Sequence, residues 1–456
     1  MTASVAILLL STASAGVLPT TVESVTLENG LRIFLAPMDT PGVAAWQAWV
    51  EVGSRNEVEP GTTGFAHFFE HLLFYGGPQF PAEVRDREML LLGADENAWT
   101  WVDDTNYHCT IASDALPRLI EIEADRFLGM SLKPEWVEKE AGAVYGEYRK
   151  GRSDPWERTY DALYETAFTT HTYRHSTIGY EADIDAMPQR VETAGTFFDT
   201  HYTPEKVRIV IAGDFDRDTV MGSLETHFGP WETGSPAPEV EPEPPQEEAL
   251  RVDVPWDGGP TNSWLMMGWK VPGFDPAAPD QAALSVISDL LFSEVAPLYR
   301  ELVVDDARLI ALSGGDWRFV DPHLFLISGM LRDPADAGGV QARIEQELAR
   351  FAAQGPSAEE LAAAQGHALK AAQVALDTPE SVAYAIGQFT RLGGPPELID
   401  TWYDNYAAVT VDDVKRVVAT TFVPEGLTVA VLDLDAEPPD PAPDEPSDEP
   451  SNEGAE

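Results

Sequence analysis

Hydrophobic and polar positions along this chain switch between two periods, and each switch marks a change of element. Val25 to Leu35 alternates around Asn29-Gly30, a pair that supplies the positive φ values of a tight turn, so a hairpin closed by a type I′ turn is predicted there. Ala45 to Val52 is a short apolar run that predicts a buried strand. From Thr62 to Gly76 the apolar spacing becomes helical behind the polar entry Thr62-Thr63-Gly64. Strands are predicted again at Asn97 to Val102 and Tyr107 to Ala112, followed by a helix from Asp114 to Gly129. A further helix runs from Pro134, a residue suited to the first helical turn, to about Lys150. Helices alternating with strands that can pair as a mostly antiparallel sheet define an α+β fold.

The pattern repeats. Phe197 to Val210 and Val417 to Ala430 share a helix end, an aromatic, a Pro-Glu turn and a β-branched strand at an offset of 220 positions. Upstream, Leu72-Leu73-Phe74 answers Leu290-Leu291-Phe292 at an offset of 218, and Trp46 to Gly53 answers Trp264 to Pro272. Two sandwich domains from a duplicated unit, 16–234 and 250–435, are therefore expected. The acidic, Pro-rich stretches 235–249 and 436–456 offer too little apolar surface to offset the entropy of ordering, and read as a linker and a disordered tail.

Charge narrows the function. The chain carries 77 acidic and 29 basic residues, a formal charge of -48, which repels nucleic acid and anionic membrane, suits a highly solvated surface and would attract basic peptides. Met1 to Ala15 has an apolar stretch, Val5 to Leu10, followed by Ala13-Ser14-Ala15. This pattern predicts a cleaved signal sequence, although the segment holds no Lys or Arg, and so a periplasmic or extracellular protein. No other run approaches the roughly 18 consecutive apolar residues of a membrane span. The lone Cys109 excludes an internal disulfide and a thiolate metal site, and reads as filler on a strand.

The chemistry concentrates in His67-Phe68-Phe69-Glu70-His71. On a helix, residues four apart share a face, so both imidazoles can reach one ion, and Glu70 lies on that same face. Phe65, Phe68, Phe69, Leu72 and Leu73 make the helix largely apolar, and two His and a Glu buried in it need partners or a ligand. The order H-x-x-E-H inverts the commoner zinc-protease motif. A catalytic zinc takes three protein ligands and keeps a position open. The Pro134 to Lys150 helix offers Glu140 and Glu147, seven apart and on one face. One can ligate while the other anchors a ligating His through its second ring nitrogen.

With these residues the sequence resembles the M16 (pitrilysin, insulinase) metallopeptidases, including the mitochondrial processing peptidase and bacterial homologues, over roughly Val22 to Leu434. Glu147 lies 76 positions after His71 with Glu140 seven before it, and the resemblance makes Glu147 the third ligand and Glu140 the residue behind a ligand. It further implies one zinc per chain, a clam-shell of two homologous domains, and endopeptidase activity on extended or unfolded polypeptides, with Glu70 activating a zinc-bound water. Asn97-Ala98-Trp99-Thr100 matches the family's substrate-binding edge strand, so Asn97, Ala98 and Trp99 are expected to contact the peptide. His171 and His175 fall in what looks like a family loop and are read as structural. The offset of 218 puts Ser285, Ser288 and Asp289 where the first half has His67, Glu70 and His71, so the second half carries no metal site. Of the Arg and Tyr with which many relatives grip substrate, Arg300 is a loose match and the Tyr position is aliphatic, Ile310 or Ala311. That departure implies a homodimer, or a heterodimer with an M16-like subunit lacking the zinc motif. The alternatives are a non-catalytic assembly subunit, which generally loses the motif, and a peptide-binding or chaperone module.

Overall fold

A computed structural model describes residues 16–435; the expected signal sequence and tail, 1–15 and 436–456, lie outside the described residues. Six strands form the first sheet: β1 (Glu23–Thr26), β2 (Arg32–Pro37), β3 (Val43–Val50), β4 (Asp95–Thr100), β5 (Thr105–Ala112) and β6 (Val207–Gly213). They lie in the order β1-β2-β6-β3-β5-β4. Five form the second: β7 (Leu250–Pro255), β8 (Trp264–Val271), β9 (Leu309–Asp316), β10 (His323–Leu331) and β11 (Leu427–Asp433), ordered β7-β11-β8-β10-β9. Leaving out β1, the two orders superpose strand for strand. Each has a single parallel pair, β2 with β6 and β7 with β11, in an otherwise antiparallel sheet. The architecture is an α+β clam-shell of two related halves.

The halves exchange helices. Pro155–Ala167, from the first half of the chain, covers the second sheet, where Tyr160, Leu163 and Tyr164 pack with Met266, Leu324 and Ala430. Pro379–Thr390, from the second half, covers the first sheet, where Val382, Ala383 and Ile386 pack with Trp49 and Val210. Each fully buried aliphatic or aromatic side chain contributes roughly 1.5–3 kcal/mol, so each exchanged helix is a substantial part of the contact between halves. The exchange explains why β3 and β6 read as nearly unbroken apolar runs: both faces of those strands are covered. Gly387 permits the closest approach, since a Cβ there would lie 2.2 Å from Trp49 Nε1.

A buried ionic cluster joins the halves beside β4. Arg391 bonds Asp103 at 2.8 Å and lies 3.0 Å from Asp104, while Arg208 bonds Asp104 at 2.8 Å. Asp321 of the second half meets Arg55 at 2.5 Å and His171 at 2.9 Å. Burial alone would raise the Asp321 carboxyl, but the hydrogen bonds from His171 and Arg55, with the guanidinium charge, outweigh it and hold it at about 2. A depressed carboxylate contributes stability above its unfolded value near 3.8 and loses it as pH falls through the folded value. The melting temperature is thus expected to fall as pH drops from about 4 toward 2. An Asp321→Asn protein would lack part of that slope and about 1–2 kcal/mol at neutral pH, discounted for partial exposure. Thermal unfolding across this range checks it.

One local expectation is corrected. The β1–β2 hairpin closes through five residues, 27–31, because Thr26 and Arg32 are the last pair, and only Gly30 has positive φ. Asn29 is committed elsewhere, its amide donating to the carbonyls of Phe228 and Trp231. The linker is without regular structure but pinned by charge rather than apolar burial. The Glu243 carboxylate accepts from the backbone N–H groups of Thr169, Thr170 and His171, and from Lys270 at 3.1 Å. Pro279–Asp305, apolar enough on composition to cross a membrane, has 56% of its most apolar window buried inside the protein.

Candidate metal centre

The motif helix is Phe65–Leu73. Its entry needs Gly64, which has φ +90 and no room for a Cβ, the Ile178 carbonyl oxygen lying 2.6 Å from where one would sit. Glycine has no side chain to cap the helix, and Glu57 does so from the preceding loop. Its buried carboxylate accepts from the N–H groups of Gly64 and Ala66, both at 2.8 Å. Phe65, Phe68, Phe69, Leu72 and Leu73 fill the core, which turns His67, Glu70 and His71 toward the space below the Pro134–Arg152 helix.

That helix delivers the acids. His67 Nε2 lies 3.4 Å and His71 Nε2 3.8 Å from Glu147 Oε2. These three residues form the one His/Cys/Asp/Glu group among the described residues whose ligand atoms all lie within 4.8 Å of one another. Glu140 sits behind, 3.1 Å from His71 Nδ1, and accepts a 2.6 Å bond from the Tyr75 hydroxyl. A proton on Nδ1 directed at Glu140 would leave the Nε2 of His71 free to ligate. Burial, helped by the neighbouring His71, lowers the His67 pKa to about 4, so it is neutral near pH 7. The three ligand atoms converge on one point, where a single cation would satisfy all of them. Ligands on a tetrahedral zinc stand about 3.3 Å apart for bonds of about 2.0–2.2 Å, close to the spacing here, so the donor set fits zinc.

Glu70 stands one turn along the same helix. Burial raises its pKa; a 2.6 Å hydrogen bond from the Thr100 hydroxyl and the nearness of His71 oppose this, and Glu147 adds to it. Thr100 ends β4, the outermost strand of the first sheet, so one edge of β4 is unpaired beside the centre. Asn97 and Ala98 lie on this strand, and Trp99 turns to the opposite face from Thr100, against Trp49 and Tyr384. A cavity of about 550 Å³ opens from His67 and Glu147 along Trp101, Trp156, Tyr160 and Asp161.

Arg300 is not brought here. It lies exposed at the start of the helical turn Arg300–Asp305 and lines none of the cavities around the centre. Trp317, Arg318, Phe319 and Tyr384 are among the second-half side chains facing the β4 region. Ser285, Ser288 and Asp289 fall in the Pro279–Phe292 helix, where Ser288 bonds the Gly314 carbonyl and Asp289 the Tyr406 hydroxyl. His171 is held by Asp321 at 2.9 Å, and His175 Nδ1 lies 3.1 Å from the Ser176 carbonyl oxygen. Sequence reasoning missed Glu57, Tyr75 and the role of Thr100. Only Thr100 carried a signal, as the last residue of the strand motif.

Comparison with known proteins identifies the family. The family model for insulinase, peptidase family M16, matches residues 35–181, and that for the peptidase M16 inactive domain matches 192–366. The chain belongs to the M16 peptidase family. It is 30% identical over 294 residues to the zinc protease PqqE of Helicobacter pylori, covering 63% of this chain and 64% of that protein, just under two thirds of its length. An uncharacterized zinc protease of Streptomyces coelicolor is 26% identical over 408 residues, 87% of this chain and 86% of the relative. The crystal structure of a protease from Helicobacter pylori superposes with a TM-score of 0.86 at 26% identity, covering 91% of this chain and 99% of that one. More distant relatives include a mitochondrial-processing peptidase subunit and a cytochrome b-c1 complex subunit.

Proposed function

We propose that this chain is a zinc-dependent endopeptidase acting on extended peptides or unfolded polypeptides. The observation that carries the reading is the convergence of His67, His71 and Glu147 beside a buried Glu70. His67, His71 and Glu147 would hold one zinc, with Glu140 fixing His71. When bound, the metal supplies Lewis acidity toward the scissile carbonyl and acidifies the attacking water. The peptide adds its backbone to the free edge of β4, with Asn97, Ala98 and Trp99 along its length. Glu70, its carboxylate oriented by the Thr100 hydroxyl, takes the proton from the water as it attacks and returns it to the departing amine. A carboxyl raised by burial is suited to both halves of that transfer.

Because Arg300 lies away from the centre and the Tyr position is aliphatic, a second subunit, a copy of this chain or an M16-like partner without the zinc motif, contributes to the grip on substrate. The Met1 to Ala15 pattern supports export to the periplasm or beyond. A fluorogenic peptide assay with and without chelator tests the hydrolase reading against a peptide-holding one. Cleavage lost on chelation and restored by zinc is expected, and peptide binding without chelator-sensitive cleavage would refute it. Glu140→Ala is expected to weaken zinc affinity by about 10–100-fold, the usual cost of losing the partner of a ligating imidazole. A competitive chelator titration measures it.

A further inference from the structure

A second cavity, of about 530 Å³, lies on the other face of β4, between the first sheet and the exchanged helix Pro379–Thr390. Two features of its lining lack partners. The Arg318 guanidinium is stacked over Phe389 at 4.7 Å and over Phe274 and Trp402, both at 5.4 Å, yet makes no ion pair or hydrogen bond with any described side chain. Aromatic faces attract its charge but accept none of its five N–H groups conventionally. Asn106, wholly buried on β5, has both amide atoms without a hydrogen-bond partner. Leaving the buried amide unmatched is costly, and with the half-buried Arg318 guanidinium facing the same cavity it marks a place for a ligand. The carboxylate in the lining, Glu380, is 57% exposed and stands 3.7 Å from His108.

The position of the cavity identifies the ligand, given the reading of β4 as the peptide's docking edge. Trp99 and Asn106 are cross-strand partners on one face of the sheet, and Thr100, on the other face, bonds Glu70. Arg318, Trp99 and Tyr384 also line a neighbouring cavity of about 720 Å³ that contains Thr100 and Trp101, which in turn border the metal centre. A peptide paired along β4 alternates its side chains as β4 does. The residue next to one facing the metal centre therefore points toward Arg318.

We propose that this cavity binds a carboxylate of the substrate peptide, Arg318 taking the anion and the Asn106 amide bonding the adjoining polar group. In a chain of charge -48, a cation without an ion pair at this place favours an acidic group that the surface as a whole repels. The carboxylate is either an acidic side chain or the peptide's C-terminus.

The test is binding of fluorescently labelled neutral decapeptides, and of versions with one Gln replaced by Glu at successive positions, each as free acid and C-terminal amide. Anisotropy is read on the full-length Glu70→Gln protein, so that cleavage does not intrude. A Glu peptide at alternate positions, or a free-acid peptide, is expected to bind roughly 10–100-fold tighter than its neutral counterpart, as for a charge-assisted hydrogen bond. Which arm shows the preference identifies the source of the carboxylate. Arg318→Gln should abolish the preference and Arg318→Lys retain part of it, with neutral-peptide affinity unchanged in both as the check on folding. A preference surviving Arg318→Gln, or neutral peptides binding as tightly as acidic ones, overturns this proposal alone. Failure of every peptide to bind overturns the β4 reading with it.

Discussion

A Glu70→Gln protein is expected to hold zinc as the parent does and to cleave peptide about a thousandfold or more slowly. The carboxamide keeps the shape and can still pair with the Thr100 hydroxyl that bonds Glu70 at 2.6 Å. It cannot accept a proton from the attacking water. General acid–base catalysis contributes typically 10²–10⁴-fold, and here one group serves both proton transfers, which puts the loss toward the upper end. Single-turnover cleavage of a quenched peptide, with metal content measured on the same sample, separates the two effects. Retained turnover would remove Glu70 from the mechanism, and loss of metal would make it a ligand.

The second large effect belongs to Glu147. In Glu147→Ala the two imidazoles remain on their helix, but the anionic donor 3.4 Å from His67 Nε2 is gone. Two neutral nitrogens alone hold zinc weakly, because a catalytic site draws on three protein ligands. The purified protein is expected to contain well under one zinc per chain and to be inactive at ordinary zinc concentrations. Its melting temperature should match that of the metal-free parent, since the Glu147 side chain is 49% exposed and removes little packing. Stoichiometric zinc in this variant would mean that another group completes the centre.

Much of the centre was legible in the sequence because its logic is local. His67 and His71 share a helix face by their spacing, and Glu140 and Glu147 share another for the same reason. Choosing between the two acids took more than spacing, because it depends on how far each projects across the gap between two helices. Glu140 stops at His71 Nδ1, and Glu147 reaches both Nε2 atoms. Residues whose roles arise only from tertiary contact were invisible. Glu57 is a lone acid in a loop until the fold sets it beneath the motif helix, and Tyr75 is an ordinary helix-end aromatic until it meets Glu140.

The fold was legible in its elements and less so in its assembly. Apolar spacing located β3, β5 and three of the helices to within a few residues, but could not reveal that Pro155–Ala167 and Pro379–Thr390 each cover the other half's sheet. Likewise, the resemblance to relatives offered Arg300 only as a loose match, whereas the structure presents Trp317, Arg318 and Tyr384 toward β4. Glu243 teaches the same lesson for the linker: composition forecast a chain with nothing to bury, and three backbone N–H groups with Lys270 supplied an electrostatic anchor instead.

The central claim is that two imidazoles and one distant carboxylate converge on a single ion. Zinc-edge X-ray absorption on the full chain, loaded to saturation and freed of excess metal, tests it without requiring a partner subunit or a known substrate. The expected spectrum is one zinc per chain with nitrogen and oxygen neighbours at about 2.0–2.2 Å, two of them imidazoles by their outer-ring scattering. A chain that retains no stoichiometric zinc, or a spectrum without the two-imidazole signature, would contradict the account.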